Sequence, residues 1–388
     1  MARTLLLDTN IAAAPLLQCL IEAGHEVYIA GGNPDDALAR SYGNYIRHDY
    51  SNSVTTLDLI ERLGIEFLIP GCNDRSYQTC AEITDLRAFP GIDSAENTRI
   101  INNKAAFRTW AQANRLPVPK VLERSDIRAN RPVIVKPEEA YSGRGATVLR
   151  SPTPEALAEA EALACAASQS GKCLIEDFVE GQLFSHTAFA DQNGVLVDFI
   201  VEEHGSASPL AVDTSHLVTD FPAAPLASIR KVVQFMFKAL GLPPGLMHTQ
   251  FILGADDIYI IEMTRRCPGD LYSVLIQVST GLNYAENYVR PFLGEAFNFK
   301  YREPASGLIL RHTISTIDPI VFGTLTFRRP LDIERYVALA KSGDRLEASP
   351  KGRIGIGFFC ARSTEDLHDI KMSALTRDLY DIYPPEVW

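Results

Sequence analysis

The 388-residue chain is predicted to be an α/β protein that begins with an open, mainly parallel sheet. Two observations predict this. Over residues 4–71, apolar runs alternate with stretches of helical spacing. TLLL is followed by IAAAPLLQCLIEAG, then HEVYIAGG ending in Gly31-Gly32, then LDLIERLG as a helix and IEFLIPG as a third strand. Strand–helix alternation of this kind implies parallel strands with helices on the sheet faces. Further along, strand pairs close on turn residues: Asn193-Gly194 inside LFSHTAFADQNGVLVDFIVEE, and Gly254–Asp257 inside HTQFILGADDIYIIEMTRR. Those are antiparallel hairpins.

The remaining elements follow in order. In INNKAAFRTWAQANRLPVPK, Asn103-Lys104 opens a helix that ends near Asn114, where LPVP stops it by proline chemistry. RPVIVKPEEAYSGRGATVLR holds a strand, a glycine-rich turn and a second strand. SPTPEALAEAEALACAASQS reads as a capped, Ala-rich helix. KCLIEDFVEG is a strand entering a loop, and a helix over 226–240 ends at Gly241. HGSASPLAVDTSH is a polar connection before that helix. From about 305, GLILRHTIS (strand), DIERYVALAKSG (helix), GRIGIGFFCARS (strand) and TEDLHDIKMSAL (helix) form a last small α/β unit. No internal repeat of fixed period is present.

Composition narrows the function. With 46% hydrophobic and 22% charged residues, and 25 Gly plus 23 Pro, neither disorder nor a fibrous chain fits. Lys and Arg number 37 against 48 Asp and Glu, a formal charge of −11, which argues against nucleic acid as a main partner. Seven Cys without a CxxC fit reduced thiols, MARTLLLDTN lacks the long apolar region and cleavage site expected of a signal peptide, and no apolar run is long enough to span a bilayer. A cytoplasmic protein with no membrane partner is expected. The loop after the first strand, DTNIAAAP, lacks GxGxxG, which argues against a nicotinamide dinucleotide site.

Three groups of residues carry chemistry. Lys136 ends an apolar strand, and Ser142-Gly143-Arg144-Gly145-Ala146 follows as a glycine-rich turn. Glycines let backbone N–H groups crowd an anion, and a lysine adds a point charge, so this outlines a phosphate cradle. A plain hairpin turn explains the same pattern. Gln250, Glu262 and Thr264 lie on two strands joined by a short turn, with Glu262 and Thr264 on one face. An amide oxygen, a carboxylate and a hydroxyl suit a hard cation such as Mg²⁺ that shares phosphates with a substrate. A solvated strand end is the alternative. Glu176, in LIEDFVEG, ends a buried strand where backbone groups could meet a heterocycle.

The order of these pieces — NK, VKP with SGRGA, LIEDFVEG, HTQF with IIEMTRR — resembles the ATP-grasp superfamily over roughly residues 1–310. Layout and length are most similar to the L-amino acid ligases and related carboxylate–amine ligases, and the metal strands to those of carbamoyl phosphate synthetase. The resemblance implies an ATP-grasp fold with an N-terminal open parallel α/β domain (1–95). A nucleotide-binding core (96–295) would follow, with a lid at about 120–182, then a closing part (296–388). It implies ATP and Mg²⁺, with Lys104 and Lys136 on the phosphates beneath a loop of Ser142, Gly143 and Gly145. Glu176 would accept from the adenine amino group, and Phe178 and Val179 would give backbone contacts to the ring. Gln250 and Glu262, with Thr264, would hold the metal. Arg266 would meet the transferring phosphoryl group, and Arg311 the reacting carboxylate or tetrahedral intermediate. Departures from the family pattern are Thr264 for Asn, Leu183 for a ribose-binding Glu, and Arg265 for Pro.

The implied activity is ATP-dependent joining of a small carboxylate to an amine through an acyl phosphate. Thiol, amino-sugar and purine-pathway ligases, and a nucleotide-binding protein without turnover, are the alternatives. His204 and His216 fall where the ligase family borders its acceptor pocket. His248, Asp270 and Tyr272 adjoin the proposed site. Many superfamily members are dimers, which makes a homodimer a family prior only; the sequence itself does not give the oligomeric state.

Overall fold

The computed structural model describes residues 2–140, 143–255, 257–304 and 307–386. The chain opens with β1 (Arg3–Leu7), α1 (Ala14–Glu22), β2 (Glu26–Gly31), α2 (Ala37–Ser41), β3 (Tyr45–Arg47), α3 (Ser53–Leu63) and β4 (Phe67–Pro70). Its four strands are all parallel, in the order β3-β2-β1-β4. Leu5, Leu6 and Leu7 are fully buried, as a strand covered on both faces requires. The short β3, YIR, was not foreseen in the sequence.

Three helices lead out: α4 (Asp74–Leu86), α5 (Ala95–Asn102) and α6 (Lys104–Ala113). Asn73, Ser94 and Asn103 cap them with side-chain oxygens. A small antiparallel sheet follows, in the order β6-β5-β7, from β5 (Val133–Pro137), β6 (Thr147–Leu149) and β7 (Cys173–Asp177). The Ala-rich α7 (Pro154–Ala167) backs it, placing Leu157, Ala160 and Ala164 against Val133, Val135 and Ile175.

The rest is built on one eight-stranded sheet, ordered β12-β11-β8-β9-β10-β13-β18-β16. Its strands are β8 (Gln182–Asp191), β9 (Gly194–His204), β10 (Thr214–Val218), β11 (Gly245–Leu253), β12 (Ile258–Thr264), β13 (Ile309–Ser315), β16 (Asp332–Ala338) and β18 (Arg353–Cys360). Short pairs β14 (Ile320–Val321) with β17 (Arg345–Leu346), and β15 (Thr324–Phe327) with β19 (Tyr380–Tyr383), lie beside it. On one face, α8 (Ala223–Ala239) buries Val233 and Phe237 against Ile200, Met247 and Phe251. On the other, α9 (Tyr272–Thr280) and α10 (Tyr284–Val289) share a core with the N-terminal sheet. Toward the sheet's far end, α11 (Thr364–Leu375) packs with Leu310 and Ile314.

Two sequence expectations need correction. DIERYVALAKSG was expected to be helical, yet Asp332–Ala338 is the edge strand β16, paired with β18. The free edge of β18 offers a ladder, and Ile333, Tyr336 and Val337 are strand formers, so pairing overrides the helix-like spacing. The last segment's main strands therefore extend the large sheet. HGSASPLAVDTSH was expected to be a connection only, but Thr214–Val218 is strand β10, paired on both sides.

A buried ion pair ties the large sheet to the N-terminal region. Arg265, just past β12, sets Nε 3.0 Å from Asp93 Oδ2 and donates to the Leu246 and Pro243 carbonyls at 2.9 and 2.8 Å. The Tyr77 hydroxyl donates to the same Asp93 oxygen at 2.9 Å, and the guanidinium lies 4.7 Å from the Phe237 ring centre. Thus the Arg that replaces the usual Pro is an anchor. Removing one partner of such a pair leaves a buried charge uncompensated. Asp93→Ala is expected to lose about 3–5 kcal/mol of unfolding free energy in urea denaturation. A loss below about 1 kcal/mol, the range of an exposed pair, would show that the pair is not an anchor.

Candidate active site

Register determines which side chains share a face of the large sheet. Glu262 pairs with Gln250, Gln250 with Ser185, and Ser185 with Val201. Directly paired residues project to the same side, and so do residues two apart. Glu203 is therefore on that side too, and its row continues through Ser215 to Arg311. Thr264, His248 and Thr187 form the neighbouring row. One face thus gathers an amide, two acids and an arginine from β12, β11, β9 and β13. The Tyr272 hydroxyl, from α9, lies 2.9 Å from Ser185 Oγ.

Cations lie alongside this face, each held by a fixed partner. Lys104, in the first turn of α6, donates to the Ala140 carbonyl at 2.8 Å. Lys136 Nζ is 2.6 Å from Glu176 Oε2, and Arg108 Nε is 2.7 Å from Glu176 Oε1. Burial pushes the Lys136 ammonium below its ordinary range, and the Arg108 charge adds to this while Glu176 opposes it. Burial would raise the Glu176 carboxyl, but Lys136 and Arg108 outweigh it and hold it low. Arg266 Nε meets Asp74 Oδ1 at 2.6 Å, bringing the start of α4 beside the end of β12. Partial desolvation opposes ionisation of the half-exposed Asp74, yet the Arg266 charge prevails and Lys104 adds to it. Lys104 also bears on Lys136, and Glu262 on both Arg266 and Glu203, so the groups form one electrostatic neighbourhood. Burial pushes the Glu203 carboxyl up to about 7, against hydrogen bonds from Ser185 and Gln250.

Arg311 is immobilised. Its Nε donates to the Asp270 carbonyl at 2.6 Å, Nη1 to Ser215 Oγ at 2.9 Å and Nη2 to Thr313 Oγ1 at 3.2 Å. Asp270 and Leu271 both adopt left-handed backbone, φ 55° and 57°, a costly conformation for non-glycine residues. That turn aims the Asp270 carbonyl at Arg311, and Arg353 holds the Asp270 carboxylate at 2.8 Å.

In the small sheet, Gly143 and Gly145 have φ 67° and 74°. A Cβ on Gly143 would lie 2.3 Å from the Leu210 carbonyl oxygen, so the glycine turn abuts the loop before β10. Ser142, expected in this turn, lies outside the described residues. At the hinge, two expectations shift. Both Glu176 oxygens are engaged by cations, which leaves that carboxylate poorly placed to accept from a base amino group. The Phe178 N–H is committed to the Pro132 carbonyl at 3.1 Å, leaving its carbonyl and the Val179 backbone to meet a ring. Phe178 and Val179 border a cavity of about 400 Å³ with Val118, Pro119, Gly254 and Tyr259. None of Lys104, Lys136, Gln250 or Glu262 lines it. Leu183 pairs with Ile252 and brings no polar group to a sugar.

His204 and His216 do not join the site. They project with Glu202 to the opposite face of the sheet, the α11 side, where His204 Nε2 is 2.6 Å and Lys371 Nζ 3.1 Å from Glu202 Oε1. His216 Nε2 is 3.4 Å from Glu202 Oε2. Alternation in β9 and β10 decides this, and reading the segment as a loop concealed it. His248 is on the site face, packed edge-on against Tyr272 at 5.1 Å. Thr264 shares that face, but its hydroxyl is drawn toward Asp74, 3.4 Å away.

Three residues were missed: Arg108, Asp74 and Glu203. Arg108 had a readable signal, since four residues after Lys104 it shares that helix face. Asp74 and Glu203 had none, because their partners lie far along the chain.

Among the described residues, no group of three or more His, Cys, Asp or Glu side chains could enclose a metal. The donor set still suits Mg²⁺, which is held by one or two carboxylates and substrate phosphates and keeps waters. Gln250 Oε1 and Glu262 would supply the protein ligands. All seven cysteines are free thiols, and no described helix is long and apolar enough to cross a membrane.

Residues 129–273 match the family model described as ATP-grasp domain. Among curated proteins, the chain is 24% identical over 279 residues to the phosphoribosylamine–glycine ligase of Pyrococcus furiosus, covering 64% of this chain and 62% of that protein. The match therefore spans less than two thirds of the relative's length. Among solved structures, an L-amino acid ligase from Bacillus licheniformis superposes with a TM-score of 0.79 at 18% identity, over 99% of each chain. Phosphoribosylglycinamide synthetase from Anaerococcus prevotii gives 0.76 at 18% identity, also over 99% of each chain. At such identities these structures establish the fold.

Burial lowers the His248 imidazole to about 3 and the His312 imidazole to about 4. A histidine whose folded value lies below its ordinary one near 6.5 binds fewer protons folded than unfolded, so stability falls as pH drops through that window. Between pH 8 and pH 5 each should withdraw on the order of 1–2 kcal/mol. Urea unfolding of wild type against the His248→Gln/His312→Gln double variant checks this. An equal acid-side loss in both proteins would refute it.

Proposed function

We propose that this chain, which carries an ATP-grasp domain, is an ADP-forming ligase that joins a small carboxylate to an amine through an acyl phosphate. The observation that carries the reading is the shared sheet face: Glu262, Gln250, Glu203 and Arg311 aligned by register beside Lys104, Lys136 and Arg266. The first half-reaction places negative charge on the transferring phosphoryl group, and the second on the acyl oxygen. The site has preorganised cations for both.

A substrate carboxylate would attack the γ-phosphoryl group of ATP, forming an acyl phosphate and releasing ADP. The amine would then attack the acyl carbon and expel phosphate. Lys104, Lys136 and Arg266 would orient and neutralise the polyphosphate. Mg²⁺, held by Gln250 and Glu262, would shield the phosphate oxygens when bound. Arg311, fixed by Asp270 and Ser215, would steady the carboxylate and then the oxyanion. The turn at Gly143 and Gly145, seated against Leu210, would exclude water that otherwise hydrolyses the acyl phosphate.

The amine has two candidate classes. The Pyrococcus furiosus relative is named for a phosphoribosylamine, the Bacillus licheniformis structure for amino acids. The turn after β1 favours the second. Asp8 Oδ1 accepts from Asn10 N at 2.9 Å and Oδ2 from Cys72 N at 2.8 Å. These amides, one past the carboxyl end of β1 and one past that of β4, where open α/β sheets receive ligands, are thus taken by an internal carboxylate rather than left for a phosphate. An amino acid is the amine proposed here.

ADP release with ATP, Mg²⁺ and a panel of amino acids, amino sugars and thiols tests the reading. Turnover is expected with an amino acid pair. ATP binding without ADP release from any pair would replace a ligase with a nucleotide-binding protein. Lys136→Ala and Glu262→Ala should each lower the rate about 10²–10³-fold in folded protein. Near-normal turnover of either would remove that residue from the site.

A further inference from the structure

A side-chain amide is ambiguous as a metal ligand. Its oxygen can bind a cation, while its NH₂, after a half-turn of the same group, would present protons to it. Gln250 faces this problem on the open face of β11, where the partner strands supply only Glu262 and Ser185 in its row. One further group reaches it: Gln250 Nε2 donates to Glu203 Oε2 at 2.6 Å. Glu203 is only 4% exposed and comes from β9, two strands away in the sheet. It sits between Gln250 and the immobile Arg311, with Ser185 and Tyr272 beside it.

We infer that Glu203 is a positioning residue that locks the Gln250 amide with Nε2 toward β9 and Oε1 toward the divalent cation. The NH₂ end is the end that lies 2.6 Å from the Glu203 oxygen, which leaves Oε1 on the other side of the amide, away from β9. Outer-shell carboxylates commonly orient metal ligands in this way, and their loss costs metal affinity. Where the first metal ligand is a glutamate, either oxygen serves and no such lock is needed. With glutamine there, the buried group on β9 supplies the orientation by accepting from Nε2. Because Gln250 enters only as a metal ligand, the role of Glu203 rests on the ligase reading above.

The test is Mn²⁺ binding to the full-length protein with a non-hydrolysable ATP analogue, followed by electron paramagnetic resonance. Glu203→Met, which keeps the shape and removes the acceptor, should weaken Mn²⁺ binding about 10–100-fold. Glu203→Gln, whose own amide oxygen can accept the same Nε2–H, should stay within about threefold of wild type. Analogue binding in EDTA should be unchanged in both. Wild-type affinity in Glu203→Met would overturn the role, and so would a Glu203→Gln variant as weak as Glu203→Met. Should Glu203→Met fail to fold, the Gln250 side-chain amide resonance of wild type decides: a downfield proton that moves upfield in Glu203→Gln supports the lock, and an unshifted one refutes it. Failure of wild type to bind the analogue at all would instead remove the ligase reading.

Discussion

Cations gathered along one surface repel one another, and this chain resolves that repulsion with fixed acids. Glu176 is shared by Lys136 and Arg108, Asp74 holds Arg266, and Asp270 holds Arg311 by both its carbonyl and its carboxylate. Each acid comes from a different segment: the small sheet, the start of α4 and the strained turn before α9. The positive charges are thus positioned in advance, as the ligase proposed above would need. A lone buried cation would instead surrender its charge to burial, as the depressed Lys136 shows even with a partner.

The large sheet converts this local pairing into a site. Hydrogen-bond register aligns Glu262, Gln250 and Ser185 in one row, then Glu203, Ser215 and Arg311 in the next. A slip of one residue in any strand would send its member to the opposite face. The two faces already divide the chemistry. Glu203 faces Gln250, while its neighbour Glu202 faces His204, His216 and Lys371 beneath α11. Arg265, buried against Asp93, secures β12 to the N-terminal region, which places Asp74 beside Arg266.

Much of the fold was legible in the chain because it is local. Alternating apolar runs announced the parallel N-terminal sheet, and Asn193-Gly194 announced a hairpin. Caps and proline bounded α6 and α7. The motif order also named the segments that carry Lys104, Lys136, Gln250, Glu262, Arg266 and Arg311. Legibility failed where a neighbour decides: Asp332–Ala338 has helix-like spacing yet becomes a strand because β18 has a free edge.

Residue types and their order, read along the chain, thus specify which groups bear charge and which segments present them, because caps, turns and periodicity act over a few residues. What each group faces was settled by folding. Glu176 turned out to serve two cations, Glu203 rather than Glu202 reached Gln250, and Thr264 leaned toward Asp74. Those outcomes depend on strand register and on contacts between residues up to 190 positions apart, and no local pattern encodes them.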